Sequence, residues 1–88
     1  MFCADSYTYA TKKIGCIGKV ADVVSKIPSI ELVVVVPYGD RNPDISTIRS
    51  STFWDDFVDA DATDVKFERL PFDHPLYILY SSGTTGLP

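Results

Sequence analysis

The run Ile30-Glu31-Leu32-Val33-Val34-Val35-Val36, closed by Pro37, limits the fold more than any other part of this 88-residue chain. β-Branched residues dominate it; they pack well on a pleated surface and poorly in a helix. Side chains on a strand point alternately to opposite faces, so a run with almost no polar position is apolar on both. Such a strand belongs inside an α/β sheet, with cover above and below.

The flanking segments supply that context. Ile17, Val20, Val23, Val24 and Ile27 fall on one face at helical spacing, with Asp22, Ser25 and Lys26 on the other, and Pro28 ends the pattern. Valine is a poor helix former, so packing must hold this helix. A helix followed by the valine strand suggests one right-handed α/β crossover unit. Upstream, Met1–Ala4 opens as a strand, and Ser6-Tyr7-Thr8-Tyr9 alternates polar and aromatic residues. Ala10-Thr11 then leads into Lys12-Lys13-Ile14 as a hairpin, although this pair lacks the Asn-Gly chemistry of a type I′ turn.

Beyond the valines, residues 38–51 are polar, carry Gly39, Asn42 and Pro43, and read as a long surface connection. Ser51 or Thr52 is placed to N-cap a short helix over Phe53–Val58, with Asp55 and Asp56 in its first turn. Adjacent helical residues do not converge, so the paired aspartates read as dipole partners, not as a metal or general-base site. Phe53, Trp54 and Phe57 read as packing anchors. Asp59–Asp64 is a polar link without the glycine and closing glutamate of a calcium loop. Val65–Leu70 reads as a short strand. Pro71–Pro75 reads as extended, because each proline disfavours helix in the residue before it. His74, without a titratable partner, reads as structural.

Composition excludes several classes. A net charge of −4 and no basic cluster argue against nucleic acid. With 45% hydrophobic and 23% charged residues the chain has globular, not disordered, composition. No apolar run is long enough to span a bilayer, and no targeting segment is visible. Cys3 and Cys16 lack both metal-ligand spacing and a disulfide framework, which suits a reducing cytosol. A cytoplasmic, soluble protein with no membrane partner is expected.

The last stretch carries the chemistry. Leu76-Tyr77-Ile78-Leu79-Tyr80 reads as a buried strand and stops at Ser81-Ser82-Gly83-Thr84-Thr85-Gly86. Glycines let backbone N–H groups line one concavity, a nest for phosphate oxygens, and four hydroxyls add donors without bulk. Composition alone leaves an ordinary hydroxylic turn equally open. The order of residues decides between them. Tyr80-Ser81-Ser82-Gly83-Thr84-Thr85-Gly86-Leu87-Pro88 resembles the phosphate-binding signature of the adenylate-forming enzymes, Tyr/Phe-Thr/Ser-Ser-Gly-Thr/Ser-Thr-Gly-x-Pro-Lys. The match runs through the proline; the family's lysine would come next. Phe67-Glu68-Arg69-Leu70-Pro71-Phe72-Asp73-His74-Pro75-Leu76-Tyr77-Ile78 looks more narrowly like the acetoacetyl-CoA synthetases, whose Tyr-x-Tyr-Asn-Gly-Lys segment also faintly resembles residues 7–12.

The resemblance implies an ATP-dependent, AMP-forming acid–thiol ligase acting on acetoacetate, ATP with Mg2+, and CoA. In it Ser82, Thr84 and Thr85 would give hydroxyls to the β- and γ-phosphates, Gly83 and Gly86 close backbone approach, and Ser81 lesser support. No catalytic nucleophile is expected here. Two strands apolar on both faces, with two helices to cover them, point to an incomplete α/β body. Residues 1–88 are therefore expected to be part of the large N-terminal AMP-binding domain, with a mixed sheet and covering helices, ending inside the phosphate loop. Such a piece is expected to be inactive without the rest of the synthetase chain. The alternatives are an acetyl- or propionyl-CoA synthetase piece, a stand-alone nucleotide-binding module, and a non-enzymatic assembly module.

Overall fold

Three short strands align in parallel because the valine run offers an unbroken, both-sided apolar ladder for its neighbours. The computed structural model describes residues 1–80. In chain order the elements are β1 (Phe2–Ala4), β2 (Ser6–Tyr9), β3 (Lys12–Gly15), α1 (Ile17–Lys26), β4 (Val33–Val36), β5 (Ser51–Phe53) and α2 (Trp54–Phe57). The main sheet has the order β1-β4-β5, with β4 parallel to both neighbours. Val34 stands opposite Phe2 on one side and Thr52 on the other, so the valine strand is central, as its composition requires. The strand begins at Val33, later than the apolar run. Ile30–Leu32 form the approach, where the Ile30 N–H donates to the Ile27 carbonyl.

β2 and β3 form a separate antiparallel hairpin, pairing Ser6 with Gly15 and Tyr9 with Lys12. Its two-residue turn is tight despite the unsuitable sequence. Ala10 takes φ 45° and Thr11 φ 68°, the left-handed values that a type I′ turn demands and that side chains resist. The ladder holds the turn in place.

α1 bridges the hairpin and β4, forming the crossover that makes β1 and β4 parallel. Its buried face is narrower than its apolar pattern. Val20 and Val24 pack with Val33, Val35 and Ile48 in one core cluster, whereas Val23 and Ile27 are exposed. A short sheet presents too little surface to cover a wide apolar stripe. Val34 is buried on the opposite face of β4. On that side of the molecule Phe2 meets Trp54 and Phe57 edge-on, at centroid separations of 6.2 and 5.6 Å. Trp54 and Phe57 thus act as packing anchors while remaining partly exposed.

Four expectations are corrected. The 38–51 connection is not simply a surface loop: Ile48 is fully in the core, and the Arg49 guanidinium reaches the carbonyls of Val24 and Ile30 at 3.4 and 3.3 Å. The Val24 contact serves a carbonyl in the last turn of α1, where helical partners are missing, and the Ile30 contact ties the approach to β4 to the same guanidinium. Ser51 and Thr52 do not cap α2; they lie in β5, and the Ser51 hydroxyl is within donating range of the Ile48 and Ile45 carbonyls (2.9 and 3.2 Å). Val65–Leu70 forms no strand. Pro71–Pro75 is not simply extended, since the His74 N–H closes a turn onto the Pro71 carbonyl at 3.0 Å.

A fifth correction concerns Leu76–Tyr80. It is neither a strand nor buried; exposure runs from 69% at Tyr77 to 96% at Tyr80. An apolar run becomes a strand only against a partner that takes its N–H and C=O groups, and no described residue does so. The result is an open body. Its surface is 8097 Å², against about 5,100 Å² for a compact monomer of this mass. Its radius of gyration is 16.6 Å, against about 12 Å.

Candidate functional site

Ser81, Ser82, Gly83, Thr84, Thr85 and Gly86, the residues expected from the sequence to hold phosphate, lie outside the described residues. Among those that are described no enclosed cavity of ligand size forms, and no three His, Cys, Asp or Glu side chains cluster as metal ligands. His74 is exposed and engaged only through its backbone turn.

The polar centre that the fold does build is one that the sequence reading passed over. Asp5 directly follows β1, and Tyr38-Gly39 lies just past the end of β4. Parallel pairing of β1 with β4 brings these two strand ends together, at the carboxyl ends of the strands where α/β proteins commonly place polar sites. Asp5 is 3% exposed and Ser6 2%. One carboxylate oxygen accepts from the Tyr38 N–H at 2.5 Å and the Gly39 N–H at 2.9 Å; the other accepts from the Ser6 hydroxyl at 2.7 Å. The Asp5 backbone is committed as well, donating to the Val36 carbonyl at 3.2 Å and accepting from the Cys16 N–H at 2.7 Å.

Burial alone would raise the Asp5 pKa. Donors from Gly39, Ser6, Tyr38 and Asp40 outweigh it and hold the carboxyl well below its usual range. A carboxylate so fully occupied is a poor general base and an effective anchor. It ties the β1–β2 corner to the loop after β4, and Lys13 on β3 adds a bond from its ammonium to the Gly39 carbonyl at 2.8 Å. Gly39 is needed for close approach: a methyl there would sit 2.1 Å from the Ser6 hydroxyl oxygen. The only signal in the sequence was an aspartate at the end of a strand, which is too common to single out.

Cys3 and Cys16 both pack against the core cluster as free thiols. Burial, then the neighbouring Cys16, pushes the Cys3 thiol upward, away from the reactive thiolate.

Comparison with known proteins relates the chain to the acyl-CoA synthetases as a class. The particular relatives are acetoacetyl-CoA synthetases. That of Mus musculus is 42% identical over 94 residues, covering 100% of this chain, and that of Rhizobium meliloti is 45% identical over 78 residues, covering 81%. The malonamoyl-CoA synthetase vrtB of Penicillium aethiopicum is 35% identical over 81 residues, covering 80%. This chain spans 14%, 12% and 11% of the length of those three proteins. No family model and no solved structure matches it.

Proposed function

We propose that this chain is a segment of an ATP-dependent, AMP-forming ligase that joins acetoacetate to CoA in the cytosol. The observation that carries the reading is whole-chain likeness to acetoacetyl-CoA synthetases, at 42% identity to the mouse protein. Agreement of residues 80–88 with the phosphate signature supports it in order as well as content. The excess open surface of the described body suits a piece whose sheet continues elsewhere.

In the proposed reaction the acid's carboxylate attacks the α-phosphorus of ATP, forming the acyl-adenylate and displacing pyrophosphate. CoA thiolate then attacks the activated carbonyl, forming the thioester and releasing AMP. Residues Ser81–Gly86 would grip the departing β- and γ-phosphates, orienting them in line and stabilising charge on the bridging oxygen. Mg2+ would arrive bound to the nucleotide, with few or no ligands from the protein.

The likeness to a malonamoyl-CoA synthetase supports a broader substrate class. Acetoacetate and malonamate both carry a carbonyl β to the carboxylate, so short acids of that type are the class we assign. Replacing the matching segment of the mouse synthetase with this chain tests the reading. The chimera should release pyrophosphate on adding acetoacetate and ATP, and Gly83→Val should abolish it; a folded chimera without that activity would overturn the assignment.

A further inference from the structure

Four elements meet at Asp5. It follows β1 and leads into the β2–β3 hairpin, and its carbonyl accepts from the Cys16 N–H just before α1. Its carboxylate holds the loop that follows β4. The Tyr38 and Gly39 N–H groups are successive and turn inward onto one oxygen, with the Asp40 N–H as a lesser donor. Successive N–H groups aimed at one point form a nest, a backbone cradle for an anion. Here the chain fills the nest with its own side chain.

A buried charge is a poor source of stability, since apolar side chains of the same volume often hold a fold as well. What the Asp5 carboxylate adds is a single arrangement of the groups bound to it. Arrangement matters at this place, because α/β sheets receive ligands beyond the carboxyl ends of their strands. β1 and β4 are parallel and both end at the Asp5 knot. We propose that Asp5 is a positioning residue of the ligase, holding residues 38–40 and the hairpin base in the form that a substrate meets at this edge.

The role rests on the ligase reading above. Asp5 is buried and both its oxygens are engaged by the chain, so it touches no substrate itself. It acts through the backbone of Tyr38 and Gly39, and through Gly39 it sets the carbonyl that Lys13 reaches from the hairpin. Two substitutions separate shape from charge. In Asp5→Asn the amide oxygen accepts from Tyr38 and Gly39 while the NH2 group donates to the Ser6 oxygen, which preserves the knot. Asp5→Gly empties the nest and frees the loop.

The test uses the mouse-synthetase chimera, with kcat and KM measured in turn for ATP, CoA and acetoacetate. Asp5→Gly should raise KM for one of them about tenfold or more with kcat little changed, the mark of lost binding geometry. That substrate is the one seated over this edge. Gly39→Ala displaces the same loop by its clash with Ser6 and should raise the same KM. Asp5→Asn should stay within about threefold of the parent. Formate, small enough to enter the emptied nest, should lower the raised KM of Asp5→Gly and leave the parent unchanged. Val24→Ala, destabilising from within the core, should leave all three KM values alone. An active parent whose KM values ignore Asp5→Gly and Gly39→Ala, an equal response to Val24→Ala, or no effect of formate would overturn the role while sparing the ligase reading. A folded but inactive parent chimera would remove that reading, and the role with it.

Discussion

Gly39→Ala tests whether the Asp5 anchor holds the sheet to the hairpin. The added methyl would sit 2.1 Å from the Ser6 hydroxyl oxygen and 3.1 Å from a Lys13 methylene. Lys13 is long and exposed and can move aside. Ser6 is buried, and its hydroxyl donates to the Asp5 carboxylate, so rotating it away removes a donor from a buried charge. Shifting Gly39 instead lengthens the bonds that its own N–H and the Tyr38 N–H make to the same carboxylate. Losing one hydrogen bond to a charged group costs about 1.5–3 kcal/mol, and overpacking by a methyl about 1–3 kcal/mol. Relief of one reduces the other, so we expect a net loss of about 2–4 kcal/mol. For a chain of this size that is a large share of total stability, roughly 4–13 kcal/mol. Urea titration followed by far-UV circular dichroism measures it. Ser6→Ala removes the obstructing oxygen, so adding it to Gly39→Ala should cost less than the two changes summed. A Gly39→Ala variant within about 0.5 kcal/mol of the parent, or strictly additive losses, would refute the steric account.

Two further outcomes follow from the packing and the charge. Because the folded Asp5 carboxyl is held below its usual value near 3.8, its stabilisation is complete above that pH and is lost as pH falls toward the folded value. The melting temperature should therefore drop on acidification below about pH 4, and Asp5→Asn, less stable at neutral pH, should lose that part of the slope. Val24→Ala should cost about 2–3 kcal/mol by chemical denaturation and Val23→Ala less than about 1 kcal/mol, since Val24 is 1% exposed and Val23 36%. Equal losses would restore the wider apolar face that the helical spacing suggested.

Comparing sequence with structure separates local pattern from placement. α1 begins at Ile17 and stops just short of Pro28 because apolar spacing and a proline are properties of the chain itself. The hairpin of Ser6–Tyr9 with Lys12–Gly15 was legible from alternation despite its turn residues. Ile48 was not, because an isolated isoleucine in a polar stretch has no period to announce burial. Asp5 and Gly39 are 34 residues apart and meet only because β1 and β4 run side by side.

By itself the sequence determined that the valines form a central strand and that a helix precedes them. Each follows from side-chain shape or order along a few neighbouring residues. Only the tertiary structure decided which apolar side chains reach the core, that a buried carboxylate knots two strand ends, and that Leu76–Tyr80 stands open. Burial and strand pairing depend on what lies across from a residue, and that partner is supplied from far along the chain or from outside it.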